Sequence, residues 1–178
     1  RRAQSGDDVI GLADRQVQGN APAFTVTSVT AVNDEPGVAQ RIEGTFQVPC
    51  YLDNPGCGPG GSFEYASRRS NLPVRSDTSN FRTRPFYCKV PSAATPANRA
   101  LAVHYGHGLL GSGNQVWDES DIQRMAERHN AMYCGTDWTG MNEPSVPFAI
   151  EVLQNLSLFP QFADRLQQGF VDQLYMGR

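Results

Sequence analysis

The residues best placed to do chemistry lie in LAVHYGHGLLGSGNQV, residues 101–116, where an apolar run ends in a glycine-rich turn. His107, Gly108, Gly111, Ser112 and Gly113 fall within a few positions of one another. Glycines here let the chain reverse sharply and let a ligand approach the main chain closely. The amide of Leu109, freed from strand pairing, could donate to a developing oxyanion. Such a donor contributes roughly 3 to 4 kcal/mol in a transition state. His107 reads as shaping the loop through backbone hydrogen bonds rather than as a proton carrier. Ser112 reads as a turn residue rather than a nucleophile. Leu110, Ser112 and Trp138 are the expected substrate contacts, with a plain core role as the alternative for Trp138.

The letters Gly106, Gly108 and Gly111 also satisfy G-x-G-x-x-G, so a dinucleotide site is an alternative reading. No acidic residue ends a strand about 20 residues on, as that fingerprint needs, and Asp137 lies nearer 30 away. The Lys-Ser/Thr ending of a P-loop is missing as well. With three histidines and no close cysteine pairs, neither a metal site nor a cofactor is expected. His104 reads as a core or edge residue. His129 suits the negative end of a helix, while Asp118, Glu119 and Asp121 suit the positive start of one.

The elements that must carry this loop follow from patterning. The chain has 178 residues, 39% hydrophobic and 19% charged, the composition of a globular domain. A net charge of −3 gives no basic footprint for nucleic acid, and no apolar run is long enough to span a bilayer. Residues 1–22 read as a polar, disordered lead. Residues 23–178 form the domain, β-rich over 23–99 and βαβα over 100–178. FTVTSVTAV and RIEGTFQVPCYL alternate with period two and predict a half-buried antiparallel pair. Residues 53–80 form a long Gly/Pro loop with one short strand, and FRTRPFYCKV returns to strand. ALAVHYGHG is nearly continuous in apolar residues, which predicts a strand covered on both faces.

After that strand, SDIQRMAERHN predicts a helix with a Ser120/Gln123 capping box and Ile122, Met125 and Ala126 on one face. AMYCGTDW predicts another strand. Phe148, Val152, Leu156 and Phe159 recur at helical spacing, and Asp164 to Arg178 carries a stripe of Leu166, Phe170 and Leu174. The expected fold class is therefore α/β, with antiparallel N-terminal strands followed by parallel strands and helices. The sequon Asn155-Leu156-Ser157 falls inside a predicted helix and is expected to be unused.

Cys50 and Cys57 bracket a turn-rich loop that a disulfide could close, while Cys88 and Cys134 lie at predicted strands. At least one disulfide is expected, and with it an extracellular or cell-envelope home. Buried free thiols are the alternative.

YGHGLLGS resembles the oxyanion loop of the α/β-hydrolase superfamily, in the HG-apolar-x-G form of bacterial lipases and esterases. In that family the loop follows the third strand and precedes the first helix, the order read here. The resemblance implies an ester or lipid substrate and a G-x-S-x-G nucleophile elbow. Leu110-Gly111-Ser112-Gly113-Asn114 fails that pattern at both flanks, and Gly60-Gly61-Ser62-Phe63-Glu64 fails at the last position. The nucleophile, the acid and the triad histidine are therefore expected beyond Arg178. The chain would be an N-terminal portion, inert alone toward p-nitrophenyl esters and prone to self-association. A non-catalytic secreted binding protein on a similar scaffold is the remaining alternative.

Overall fold

A computed structural model describes residues 21–70, 72–75 and 77–178; residues 1–20 of the expected polar lead lie outside the described residues. The strands are β1 (Phe24–Ala31), β2 (Val38–Pro49), β3 (Glu64–Tyr65), β4 (Pro73–Val74), β5 (Phe81–Pro91), β6 (Leu101–Tyr105) and β7 (Ala131–Gly135). The helices are α1 (Ser120–His129), α2 (Val146–Gln154) and α3 (Phe159–Met176). Five strands form one mixed sheet in the order β1-β2-β5-β7-β6, and β3 pairs with β4 inside the long loop. The pairs β1–β2, β2–β5 and β5–β7 are antiparallel, whereas β6 runs parallel to β7. The α/β class and the antiparallel-then-parallel order thus match the alternating and continuous apolar patterns.

The centre of the sheet, at β2 and β5, is covered on both faces. Phe46 and Val48 of β2 pack with Val171 and Tyr175 of α3, joined by Phe86 and Met176. On the other face Tyr87 meets Trp117 edge-on at 5.1 Å, and Gln123 of α1 reaches the Pro36 carbonyl. Lys89, buried on that face, pairs with Glu35 at 3.0 Å. Burial holds its ammonium below the usual lysine range, with repulsion from Arg41 adding to the effect.

Two disulfides are present, Cys50–Cys57 and Cys88–Cys134. The second joins directly opposed residues of β5 and β7, with Cα atoms 4.1 Å apart. That is the close spacing of a non-hydrogen-bonded antiparallel pair. Among the described residues no helix is long and apolar enough to cross a membrane.

Several patterning expectations give way. β6 is the sheet's edge strand and is largely exposed rather than covered on both faces, since only β7 pairs with it. β1 is exposed along its whole length, because it lies at the opposite edge. Ser120 makes no capping box: Glu119 stands at the cap position without a side-chain bond, and Gln123 is turned toward Pro36. Met125 points to solvent while Ile122 and Ala126 are buried. The helix expected through Phe159 breaks at Asn155, leaving Leu156 and Phe159 exposed. The sequon lies at that break, where Asn155 Oδ1 accepts from the Ser157 amide and hydroxyl.

The largest reversal is in α3. Phe170 and Leu174 face outward, and the buried face carries Arg165, Gln168 and Asp172 beside Val171 and Tyr175. Polar groups can be buried when they are paired, and β5 supplies the partners described below.

Asp164 ties α3 to the long loop by accepting the Phe63 amide at 3.0 Å. Burial, with the charge of Asp53 adding to it, pushes its carboxyl above 3.8, although the Phe63 bond opposes this. A raised carboxyl pKa contributes stability that is full below the unfolded value and is lost as pH rises through the folded one. Asp164→Asn keeps an acceptor and removes the charge. It is expected to raise the unfolding midpoint at pH 7, with the gain lost as pH falls below the ordinary aspartate range. Thermal unfolding followed across that range checks it.

Candidate functional site

The carboxyl ends of the parallel strands β6 and β7 lead into two loops that bond to each other. His107, buried after β6, uses both ring nitrogens. Nε2 accepts the Trp138 amide at 2.8 Å, and Nδ1 lies 2.7 Å from the Gly108 carbonyl. A nitrogen that accepts from an amide carries no proton, so the neutral ring is protonated at Nδ1 and donates to Gly108. The sequence thus fixes a tautomer by placing an amide donor and a carbonyl acceptor on either side of one imidazole.

The Gly108 carbonyl also accepts the Gly111 amide at 3.1 Å, closing a four-residue turn over Gly108–Gly111. Leu110, third in that turn, has φ +57°, whereas Leu109 before it stays in the ordinary negative-φ range. This is the sign pattern of a type II turn, whose third position normally takes glycine. A leucine there stores roughly 1 kcal/mol or more of backbone strain.

Leu109 is 75% exposed, and among the described residues its amide has no protein acceptor. The Leu110 side chain is also exposed. Ser112 Oγ is engaged with Asn114 Oδ1, and no base lies beside it in that contact.

The loop after β7 braces this turn. Asp137 Oδ1 accepts the Gly113 amide at 2.9 Å, and the Gly111 carbonyl accepts the Glu143 amide at 3.0 Å. A Cβ on Gly113 would lie 2.6 Å from the Thr136 backbone, so the approach requires glycine. Trp138 packs edge-on against Phe170 at 4.6 Å, and its indole N–H points to the Leu166 carbonyl at 3.4 Å. A Cβ on Gly169 would lie 2.4 Å from that indole, which explains how α3 comes so close. Trp138 therefore anchors the brace through its backbone and is packed against α3.

Beneath the brace lies a charged network that patterning did not reveal. Arg84 donates to the Asp137 carbonyl at 3.0 Å and pairs with Asp172 at 3.4 Å. Asp172, fully buried, also accepts from Thr139 Oγ1 at 2.7 Å and Gln168 at 3.3 Å, with Arg82 at 3.8 Å. The usable signal was the same-face spacing of Arg82 and Arg84 in a strand, opposite Arg165, Gln168 and Asp172 on one helix face.

Replacing His107 with alanine would leave the Trp138 amide and one lone pair of Gly108 unsatisfied. A loss of about 1–3 kcal/mol is expected. Faster hydrogen exchange at Trp138 and Gly111, with a lower denaturation midpoint, checks it.

Among the described residues the loop has a donor but no nucleophile–base pair. Asp118, Glu119 and Asp121 surround the start of α1, and a 3-10 turn over Gly113–Trp117 separates it from the glycines. The loop glycines therefore do not open directly onto a helix N-terminus, as a phosphate cradle would. Among the described residues no three His, Cys, Asp or Glu side chains gather as a metal site. A groove of about 230 Å³ lined by Phe46, Phe86, the Cys88–Cys134 bridge, Tyr175 and Met176 shares no residue with the loop. The chain matches no protein-family model, no curated protein and no solved structure.

Proposed function

We propose that this chain supplies the oxyanion-stabilising part of a serine hydrolase acting on carboxylic esters, and that a further strand brings the nucleophile to the free edge of β6. The observation that carries the reading is the Leu109 amide. It stands without a protein acceptor in a turn that follows a parallel strand and is locked from behind by His107. A preorganised amide of this kind contributes only where negative charge develops, as on the carbonyl oxygen of an ester under attack. The same loop precedes α1, as in the HG-apolar-x-G loops it resembles.

Topology supports the position of the missing strand. The step from β6 to β7 runs toward β5, with α1 on one face of the sheet. α3 lies on the opposite face against Phe46 and Val48. A right-handed return from β7 through α3 must run the other way and set its strand beyond β6. The β6 edge has the properties of a buried neighbour: LAVHY carries no formal charge, and Leu101 is exposed on it. Phe170 and Leu174 of α3 are exposed as well, apolar surface that a further element would cover. A strand seated there would end beside the Leu109 turn, where a serine on its terminal bend could attack an ester whose oxygen faces the amide. The two disulfides fit an extracytoplasmic home.

The test compares two chains on p-nitrophenyl esters: these residues alone, and these residues continued into their natural downstream sequence. Turnover only by the longer chain, abolished when its elbow serine becomes alanine, is the expected result. Turnover by the 178-residue chain alone, or a downstream sequence without such a serine, overturns the reading.

A further inference from the structure

We infer that Arg82, Arg84 and Arg165 form a binding site for one small oxyanion, a carboxylate or a tetrahedral sulfate- or phosphate-like group, between the start of β5 and α3. Three guanidinium groups meet there with two carboxylates, Asp172 and Asp137, which leaves one positive charge in excess. The side chains of Arg82 and Arg84 are 9% and 11% exposed, and Arg165 is buried, so water screens this excess poorly. Arg165 spends one nitrogen on the Cys57 carbonyl at 2.7 Å and makes no ion pair among the described residues.

The hydrogen-bond inventory points the same way. Arg82 Nε and Arg165 Nε are buried without a hydrogen-bond acceptor among the described residues, while Arg84 Nε and Arg82 Nη1 face only the Asp172 carboxylate, at 3.4 and 3.8 Å and outside hydrogen-bond geometry. Buried N–H donors are rarely left unsatisfied, and those of guanidinium match the planar or tetrahedral oxygens of an oxyanion. The three arginines also act on one another. Burial is the main influence holding Arg165 down to about 10, with repulsion from Arg82 and Arg84 adding to it. An anion among them would relieve both the orphaned donors and the repulsion.

The test uses the 178-residue chain. Unfolding midpoints are followed against sodium acetate, sulfate, phosphate and chloride at one ionic strength. At least one oxyanion is expected to raise the midpoint saturably by about 3–6 °C over chloride, as a ligand at some tenfold above a millimolar Kd would. Acetate alone acting marks a carboxylate as the occupant; sulfate or phosphate acting marks a tetrahedral anion. Calorimetry with the active anion should give one site per chain.

Arg82→Gln and Arg165→Gln should each weaken that binding at least about tenfold, the loss of one charge-assisted contact. Arg124→Gln, on the exposed face of α1, should leave it unchanged. If one variant does not fold, the other and the wild-type stoichiometry decide. No advantage of any oxyanion over chloride, more than one site per chain, or undiminished binding in a folded Arg82 or Arg165 variant would overturn the inference.

Discussion

Asp172→Ala is expected to lower stability by about 3–5 kcal/mol, the cost of leaving buried charges without their counter-ion. Asp172 is fully buried and faces Arg82 and Arg84 while accepting from Thr139 and Gln168. Removing it leaves those donors and cations together in a site that water scarcely reaches. Against a usual total of about 5–15 kcal/mol, that is a large share of the fold's stability. Denaturant titration measures the loss. Arg84→Met in the Asp172→Ala background should recover part of it, because the charge left uncompensated is then removed too. A loss below about 1 kcal/mol would mean that the network is wetter and weaker than its burial implies.

The second large effect concerns the bridge between β5 and β7. Their ladder is short, three opposed pairs from Tyr87–Gly135 to Lys89–Tyr133, and Cys88–Cys134 is the middle one. Through this ladder the β6–α1–β7 unit, which carries the candidate loop, joins the antiparallel strands. The bridge closes a separation of 46 residues, against 7 for Cys50–Cys57. Chain entropy then gives about 4 kcal/mol for the longer loop and about 2.4 kcal/mol for the shorter. The Cys88→Ala/Cys134→Ala pair should therefore cost more than the Cys50→Ala/Cys57→Ala pair. It should also speed hydrogen exchange at Tyr133 and Gly135 before exchange in the β1–β2 hairpin. Equal losses from the two pairs would show that strand pairing alone holds the unit.

How much of this was legible in the sequence depends on where each side chain finds its partner. Period-two alternation revealed β1, β2 and β5 because backbone register is local. The strand–helix–strand order of β6, α1 and β7 followed from apolar runs of the right length. The covering of those elements is not local. β6 reads as a fully covered strand from LAVHY, yet it stands at an edge because no described strand pairs with its outer side. α3 departs from its apolar period because Phe170 and Leu174 of the Leu166–Phe170–Leu174 stripe face outward, while the buried face mixes Arg165, Gln168 and Asp172 with Val171 and Tyr175. Its partners, Arg82 and Arg84, stand far away in sequence on β5, beyond the reach of a helical period.

The candidate loop shows the same division. Gly108, Gly111 and Gly113 mark a turn by their type alone. The backbone partners of His107 and the grip of Asp137 on Gly113 depend on β7 lying parallel beside β6. The pairing of Cys88 with Cys134 likewise required the β5–β7 register, which no spacing rule supplies.

The role proposed for Leu109 has one direct test, in the longer chain that the proposed function calls for. Leu109 holds the second position of the Gly108–Gly111 turn, where a type II turn accepts proline. Leu109→Pro therefore deletes the amide proton while keeping the turn, and Gly108 before it tolerates the added ring. The expected result is a fall in kcat of about 10²–10³-fold on p-nitrophenyl esters, with KM and the unfolding midpoint nearly unchanged. Leu109→Ala, which keeps the amide, should stay within about threefold of wild type. A Leu109→Pro enzyme that turns over as fast as wild type would contradict the assignment of that amide to the oxyanion.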